Sequence, residues 1–468
     1  MSAAECFEVS LSSLSDRLDV TYYLIRREVK RELDTGSPLC QLCTPIKTRT
    51  PPREAYNETG VPCLKLRNIT GQVLNTTNCD YIPEQMKSQF VEAQEYDIVL
   101  TATGEGTAGR VDIFLESDSY IVTGENIILR PKLDRINPFY LLAMLRTEII
   151  SRQLTHFVRG ATGQTHLYWH DIADIKVPET TDKIQHEFEE IFKRAWEKRN
   201  SAAQKINQAK TIVCKAGNLK GFDIRHKKVV FETTFKRIEP ILRFDIEYNQ
   251  PIYEAIESTL AKACSVKANT VARLNKTMVN PRNSPTSVYD YVDISSVDTQ
   301  AGDYDFVSLH GYEAPTRARR RPKKGDIIVS TVRPNRNAVA IIGEESNQLV
   351  VSTGFAILTP MKISPLVLFA VLKTEPVYAQ IVRKATAAMY PAVSEEEFAA
   401  SRTSPASLTA SNESEQHIKD SIQLRRDSQS LLQRFRHLAE EIILQQKTES
   451  AANDTVASLD RAFVQPIK

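Results

Sequence analysis

The chain lacks an apolar run long enough to cross a membrane. No segment of its 468 residues approaches about 18 consecutive apolar residues, and the nearest candidates, Tyr140–Leu145 and Pro365–Leu372, are the size of core segments. The N-terminus, Met1-Ser2-Ala3-Ala4-Glu5, also lacks the basic-then-apolar pattern of a secretory signal. We therefore expect a cytoplasmic protein with no membrane partner.

An excess of one charge is missing as well. The 60 Lys and Arg residues nearly balance the 58 Asp and Glu residues, which leaves a net charge of +2. This balance is too weak to indicate a nucleic-acid partner, so any basic surface must be local. With 41% hydrophobic and 25% charged residues, the composition is that of an ordinary globular chain long enough for two domains.

The cysteines do not form a disulfide framework, because their number, seven, is odd and five of them crowd into the first 80 residues. Cys40-Gln41-Leu42-Cys43 is a CxxC pair, and Cys63 and Cys79 follow without a second such pair. A zinc site and inert buried thiols are both open at this point. We favour inert thiols and predict no metal site.

Common catalytic motifs are absent too, including Walker A, HExxH and GxSxG. Gly104–Gly109 matches GxGxxG, but the alternating, strand-like Arg110–Phe114 follows it where a dinucleotide site needs a helix. We interpret the motif as the tip of a β-hairpin. Asn137-Pro138 faintly resembles an amino-methyltransferase loop, and we interpret it as a helix start. The sequence thus predicts no catalytic residue and no cofactor.

What the chain does contain is a repeat. Arg17–Tyr22 returns as Arg243–Tyr248, Asp97–Thr101 as Asp326–Ser330, and Leu141–Glu148 as Leu368–Glu375, each about 227 residues later. The order is kept, and the period is far beyond the roughly 20–50 residues of solenoid repeats. The pattern indicates a duplicated domain.

Hydrophobic periodicity predicts that each copy is α+β, with mostly β elements and one main internal helix. Residues 12–34 read as a short helix and connector, and residues 45–59 as a loop. Strands are predicted at Cys63–Ile69, Tyr96–Ala102, Arg110–Leu115, Tyr120–Leu129 and Asp171–Pro178, and in the second copy at Val292–Val297, Asp326–Val332, Ala338–Ile342 and Val350–Leu358. The internal helices are predicted from Asn137 to about Thr155 and over Pro365–Ile381.

Two long helices are predicted, at roughly Asp182–Cys214 and Asn412–Gln446. Each carries an apolar stripe, and Leu424, Leu431 and Leu438 repeat every seven residues as in a coiled-coil seam. Burying one stripe against the other predicts an antiparallel pair between the two copies, although ordinary core helices would show similar stripes. About 30 residues give a rod of about 45 Å, comparable to the roughly 34–36 Å of one B-DNA turn.

These elements divide the chain into five parts. We predict a first domain at 1–180, a central spacer helix at 181–217, a second domain at 218–410, a distal spacer helix at 411–448 and a C-terminal tail at 449–468.

Basic and polar loops supply the candidate binding residues. A run of six cations, Arg317–Lys324, precedes the strand that begins at Asp326. Its possible roles are contact with phosphates, a solvated face or an import signal. Arg333–Asn337 corresponds to the Gly-rich tip of the first copy, and Arg and Asn can read guanine and adenine edges. The loops Arg159–His166 and Arg383–Tyr390 match as well, each with Arg before Ala-Thr. The candidates are Lys65, Arg67, Asn68, Thr103, Arg110, Arg159, Thr162, Gln164, His166, Arg317, Arg319, Arg320, Arg321, Lys323, Lys324, Arg333, Asn335, Arg336, Lys384 and Thr386.

Over nearly its whole length the chain resembles the specificity (S) subunit of a type I restriction-modification system. The resemblance rests on Tyr96–Thr101 with its hairpin, on Arg159–Thr162 followed by His166-Leu167 and Val177-Pro178, and on the helix after them. The plan recurs at Gly325–Ser330 and Ala385-Thr386. The second copy departs from it, because it lacks a counterpart of Gly160 and Val393–Ser407 replaces His166–Pro178, with Pro405 the only clear match to Pro178.

The resemblance implies that each copy is a target-recognition domain reading one half of a split sequence in double-stranded DNA. It implies that the paired helices dock methyltransferase subunits and that nuclease-translocase subunits join them. S-adenosylmethionine, Mg²⁺ and ATP are implied for those partners and not for this chain. The departures leave open whether the second copy reads DNA as the first does.

Two other functions remain open from the sequence. One is a DNA methyltransferase or nuclease with its own catalytic site, which measurable binding of S-adenosylmethionine to the isolated chain would favour. The other is a tandem scaffold that binds only protein, which salt-dependent binding to random duplex DNA would count against.

Overall fold

The computed structural model describes most of the chain in two compact units. One unit combines residues 1–196 with 429–468, and the other spans residues 197–428. The described residues are 35–57, 59–76, 79–104, 107–159, 165–219, 222, 228, 230–238, 242–263, 265–299, 302–343, 348–361, 363–386, 391–409 and 412–463, with no side chains described at 236, 237 and 446–463. The predicted helix at 12–34 lies outside these residues.

Unit 1, which contains the first copy, is built from short strands and helices. Its strands are β1 (Ser37–Pro38), β2 (Cys43–Lys47), β3 (Val61–Leu64), β4 (Asp80–Ile82), β5 (Ile98–Thr101), β6 (Val111–Ile113), β7 (Ile121–Val122), β8 (Asn126–Pro131) and β9 (Lys176–Val177). Its helices are α1 (Leu39–Leu42), α2 (Pro138–Leu145), α3 (Glu148–His156), α4 (Trp169–Ile172) and the first part of α5 (Asp182–Ala216).

Unit 2, which contains the second copy, follows a similar list. Its strands are β10 (Val266–Lys267), β11 (Ala272–Leu274), β12 (Val288–Val292), β13 (Val297–Asp298), β14 (Asp303–Tyr304), β15 (Val307–His310), β16 (Ala318–Arg320), β17 (Ile327–Ser330), β18 (Val339–Ile341), β19 (Leu349–Ser352), β20 (Phe355–Pro360) and β21 (Arg402–Thr403). Its helices are the rest of α5, α6 (Phe235–Ile238), α7 (Pro251–Lys262), α8 (Pro365–Leu372), α9 (Glu375–Lys384), α10 (Glu395–Ala399), α11 (Pro405–Leu408) and the start of α12 (Asn412–Phe463).

The sheets of the two units have corresponding strand orders. Unit 1 contains a four-stranded sheet in the order β2-β8-β5-β6, and unit 2 contains one in the order β11-β20-β17-β18. In a second sheet, β3 pairs in parallel with β7, and β12 pairs in parallel with β19. The small pairs β1–β9 and β10–β21 also correspond. The repeat in the sequence is therefore accompanied by the same strand pairings in each unit.

Several predicted elements are longer than the observed ones because the chain changes sheet within them. The predicted strand Tyr120–Leu129 is two strands, β7 and β8, which belong to different sheets, and Val350–Leu358 is likewise β19 and β20. The buried Thr123 hydroxyl donates to Leu64 O at 2.9 Å at this crossing. Smaller corrections are a strand, β2, that runs into the start of the predicted loop, and a 3-10 turn after β3 and after β12. The helix α4 ends inside the predicted strand Asp171–Pro178, of which only β9 is a strand.

Each predicted internal helix is in fact two helices. Asn137 accepts a hydrogen bond from Phe139 N at 2.9 Å with Pro138 at the first helical position, so the predicted start is confirmed. The helix ends early because Thr147 turns extended and its hydroxyl donates to Met144 O at 2.6 Å. Thr374 ends α8 in the same way, with a 2.6 Å bond to Val371 O.

The long helices pack into the cores of the units. In unit 1, the Phe435 ring of α12 lies 5.4 Å from that of Phe188 and 5.2 Å from that of Phe192, both on α5. In unit 2, Ser421 of α12 donates to Ala202 O of α5 at 2.9 Å. The structure extends α12 to Phe463, beyond the predicted end near Gln446.

Among the described residues, no single helix is long and apolar enough to cross a membrane. The bent pair α8 and α9 passes a test of length and composition, but most of its side chains are buried in the core of unit 2.

Phe435→Ala should destabilise unit 1 by about 3–5 kcal/mol, because it empties a site enclosed by two other aromatic rings. Leu444→Ala, at a side chain that is 62% exposed on the same helix, should cost less than about 0.5 kcal/mol. Urea denaturation of both variants checks this. Equal losses would mean that Phe435 is not a core residue.

Candidate nucleic-acid interface

In unit 1, the hairpin tip between β5 and β6 is fastened to the loop that follows α3. Thr103 and Arg159 each form a β-bridge with His166. Leu167 N donates to Ala102 O at 2.7 Å, and Gly104 N donates to Thr165 O at 3.2 Å. The antiparallel pairing of β5 with β6 confirms that the GxGxxG segment belongs to a hairpin.

Unit 2 repeats this backbone arrangement. Val332 and Thr386 each form a β-bridge with Ala392. Val393 N donates to Thr331 O at 2.9 Å, and Arg333 N donates to Pro391 O at 2.6 Å. In each unit a hairpin tip and a distant loop therefore form one surface.

These bridges correct the sequence match between the two loops. Thr386 occupies the position of Arg159, since each bridges to the residue that pairs with the hairpin tip. Arg383, which was matched to Arg159, lies instead within α9. Aligning the two loops on their shared Arg and Ala-Thr residues shifts one loop by three residues from the alignment that the β-bridges show.

The segment Val393–Ser407 departs less from the first copy than its sequence suggests. It holds the short helix α10 and the strand β21, which pairs with β10 as β9 pairs with β1. A reciprocal capping box between Ser394 and Glu397 starts α10. Local capping and strand pairing therefore preserve the framework although the residue types have changed.

The tip of the unit 2 hairpin is a turn with left-handed backbone at both ends. Arg333 and Asn337 both have φ of 50°, on either side of the 3-10 turn Pro334–Arg336. Left-handed backbone at two non-glycine residues is held in place by its surroundings. Here Tyr378 donates its hydroxyl to Asn335 O at 2.5 Å. The side chains of Asn335 and Arg336 are exposed, and that of Arg333 is half-buried.

Unit 1 presents aromatic rings instead. His166, Tyr168 and His170 are exposed and stacked in sequence, with ring centroids 6.1 Å and 5.5 Å apart. Arg159 forms an ion pair with Asp171 beside them. Sequence reasoning missed Tyr168 and His170, because His170 lies in the short helix α4, part of which was predicted as a strand.

The basic run before β17 is not one continuous cationic face. Arg317, Lys323 and Lys324 are exposed, and Arg319 and Arg321 are half-buried. Arg320 is 7% exposed, forms an ion pair with Glu395 and donates to Asn275 O at 2.6 Å. Because β16 alternates its side chains between two faces, Arg320 points inward, and we withdraw it as a DNA contact.

The basic residues after β3 are engaged within unit 1. Lys65 and Arg67 contact Asp80 at 2.6 Å and 2.5 Å. Although burial opposes it, these two hydrogen bonds hold the pKa of Asp80 below its ordinary value. Asn68 is 1% exposed and accepts from Lys65 N at 2.8 Å. We withdraw Asn68 as a DNA contact because its amide caps a turn.

The remaining candidates are placed as follows. Arg110 and Thr386 are exposed, and Thr103 and Lys384 are half-buried. Thr162 and Gln164 lie outside the described residues.

No metal cluster is found in the part of the chain that the structure describes. Burial raises the pKa of the Cys43 and Cys79 thiols to about 12, and that of Cys63 and Cys214 to about 11. Cys43 and Cys63 are buried, and Cys79 and Cys214 are half-buried.

Neither a family model nor a curated protein matches the sequence. Among solved structures, the chain is similar to the HsdS subunit of Thermoanaerobacter tengcongensis, with 26% identity and a TM-score of 0.27 over 30% of this chain and 36% of that chain. It is similar to the type I restriction-modification S subunit of M. genitalium, with 11% identity and a TM-score of 0.37 over 87% and 94%. A structure of a type I R-M system, solved to explain complex assembly and conformational transition, matches with 13% identity and a TM-score of 0.29 over 88% and 96%.

These three structures are of the type I restriction-modification systems that the sequence motifs resemble. The first match spans only about a third of that subunit's length.

Arg320→Gln should destabilise unit 2 by about 3 kcal/mol, because it removes the counter-charge of Glu395, whose side chain is only 19% exposed. Arg317→Gln, three residues earlier and exposed, should change stability by less than about 0.5 kcal/mol. Thermal denaturation of the two variants separates these roles. A stable Arg320→Gln variant would return Arg320 to the set of binding candidates.

Proposed function

We propose that the chain is the non-catalytic, sequence-specific DNA-recognition subunit of a type I restriction-modification complex. One observation carries the proposal: each unit fastens a hairpin tip to a distant loop by the same two bridges, at Thr103–His166–Arg159 and at Val332–Ala392–Thr386. A surface that is built twice in one chain suits a partner with two separate half-sites.

The exposed and half-buried side chains at these surfaces have the chemistry of DNA recognition. Asn335, Arg336 and Arg333 in unit 2, and Arg159 and His166 in unit 1, supply hydrogen-bond donors that suit base edges. The exposed cations Arg317, Lys323 and Lys324 suit phosphates, which position a protein without reading sequence. The charge that contacts DNA is therefore local, as the net charge of +2 requires.

The two long helices are proposed to form an antiparallel coiled coil that separates two duplicated recognition domains. Contacts within each unit support this pairing. In unit 2, Lys198 of α5 contacts Asp427 of α12 at 2.9 Å, and in unit 1, Glu187 contacts Arg434 at 2.7 Å. Residue numbers that rise on one helix as they fall on the other are typical of an antiparallel pair.

We further propose that these helices dock methyltransferase subunits and that nuclease-translocase subunits complete the assembly. The five-part division of the chain stays a prediction that accompanies this arrangement. The decisive experiment is to map methylated motifs in the source genome with and without this gene. A split motif that disappears on deletion supports the proposal, and an unchanged methylation pattern contradicts it.

Asn335→Ala should change which base is accepted, while Lys324→Ala should weaken binding to all sequences alike. Asn335 presents its amide on a turn whose backbone Tyr378 holds, so the loss should amount to about 1–3 kcal/mol for the preferred base only. The Lys324 variant should lower the salt dependence of binding by about one phosphate contact.

Fluorescence anisotropy of the complex with methyltransferase subunits, on oligonucleotides that vary one base at a time, checks both variants. An Asn335 variant with the wild-type order of base preference would remove this turn from the reading surface.

A further inference from the structure

A buried lysine lies directly behind the turn at residues 333–337. Lys373 is 3% exposed, and its Nζ donates to Asn337 O at 3.2 Å and to Thr299 O. Asn337 donates its side-chain amide back to Lys373 O at 3.3 Å. The last residue of the turn is therefore held by a reciprocal pair of contacts at the junction between α8 and α9.

The other acceptor of this lysine leads to the long helices. Thr299 follows Asp298, whose Oδ2 lies 2.7 Å from Arg199 of α5 and 2.8 Å from Arg425 of α12. Asp298 is on β13, which pairs with β14. All of these residues belong to unit 2. One carboxylate thus ties both helices to the strand, and the next residue accepts a hydrogen bond from Lys373.

We propose that Lys373 is a positioning residue that couples the two long helices, through Asp298 and Thr299, to the base-reading turn of unit 2. It sets how sharply that turn discriminates bases. The inference rests on the proposed function, because it assigns a support to the same reading surface. Base reading by bidentate hydrogen bonds needs the turn in one conformation, and two left-handed residues make that conformation costly without support.

The charge of Lys373 supplies a readout that a merely structural side chain would lack. Burial, together with the nearby Lys210, lowers the pKa of Lys373 to about 7, and Asp298 opposes the shift. Arg199 and Arg425 share the Asp298 carboxylate, so they limit its help to Lys373. Below about pH 7 the ammonium form binds the two carbonyls more strongly than the neutral amine does.

The pH dependence of stability has a definite sign. The unfolded lysine keeps its proton up to an ordinary pKa of 10.5, whereas the folded one loses it near 7. Unfolding therefore takes up a proton between these values, and the stability of unit 2 should rise with pH across that window. Lys373→Met should remove this part of the rise.

The test uses the full chain in complex with methyltransferase subunits and two oligonucleotides. One carries the mapped methylation motif, and the other changes one base in the half read by unit 2. The wild type should prefer the first by about 5- to 150-fold. Lys373→Met and Asn337→Gly, which keeps the left-handed backbone, should each lose at least most of this preference. Lys267→Met, at an exposed lysine of unit 2, should keep it.

The wild-type preference should be greater at pH 6 than at pH 8, and the Lys373→Met preference should not change with pH in the same way. If both variants retain the full preference at both values, Lys373 does not position the turn and the inference is overturned. If Lys373→Met does not fold, Lys373→Gln, which keeps a donor but removes the charge, takes its place in the same comparison.

Hydrogen exchange separates this inference from the proposed function. The amides of Arg336 and Asn337 donate within the turn at 3.0 Å and 2.9 Å, and both should exchange at least about tenfold faster in Lys373→Met. If the wild-type complex shows no base preference, the proposed function fails and exchange alone decides the role of Lys373. Unchanged exchange would then overturn the positioning role.

Discussion

Each unit places a largely buried cation at the junction between two consecutive helices. Arg146 donates to Val111 O at 2.9 Å and pairs with the buried Asp112 at 2.5 Å, and Lys373 donates to Asn337 O. A charge in such a site is costly unless oxygen atoms surround it. Val111 O, the Asp112 carboxylate and Asn337 O belong to the hairpin that ends in the proposed reading tip, whereas Thr299 O, the other acceptor of Lys373, does not. The need to satisfy the cation therefore fixes the hairpin against the helices.

The hairpin tip is held from a second direction by backbone alone. The bridges from Ala102–Gly104 to Thr165–Leu167, and from Thr331–Arg333 to Pro391–Val393, use main-chain donors and acceptors. Main-chain contacts do not depend on which side chains are present. The site can therefore be rigid in its backbone and variable in its chemistry, which is the combination that a base-reading surface needs.

The sequence was sufficient for features that repeat or that have strong local signals. The 3.6-residue periodicity set the bounds of α5 closely, and the alternation after Gly109 correctly favoured a hairpin over a nucleotide site. The sequence did not predict the break between two elements that share one apolar run, as in β7 with β8 or α2 with α3. There the break comes from tertiary partners, such as the contact of Thr123 with Leu64, which leave no mark in local composition.

The placement of charged side chains was the least predictable part of the site. Six cations in eight residues suggested one basic face, but Arg320 pairs with Glu395, which lies 75 residues further along the chain. Which members of a charge run face solvent is decided by the register of β16 against β19, with its irregularity between Ala318 and Arg320. Such an irregularity arises from the pairing of strands and has no sequence pattern of its own.

The same framework presents different chemistry in the two units, and this bears on the proposed split target. Unit 1 exposes the stacked rings of His166, Tyr168 and His170, whereas unit 2 exposes Asn335 and Arg336 on a left-handed turn. Imidazole and phenol groups contact base edges by single hydrogen bonds and apolar contact, while Arg and Asn form bidentate pairs. Two surfaces of such different chemistry would not favour the same bases. The proposed half-sites should therefore be unrelated in sequence rather than repeats of each other.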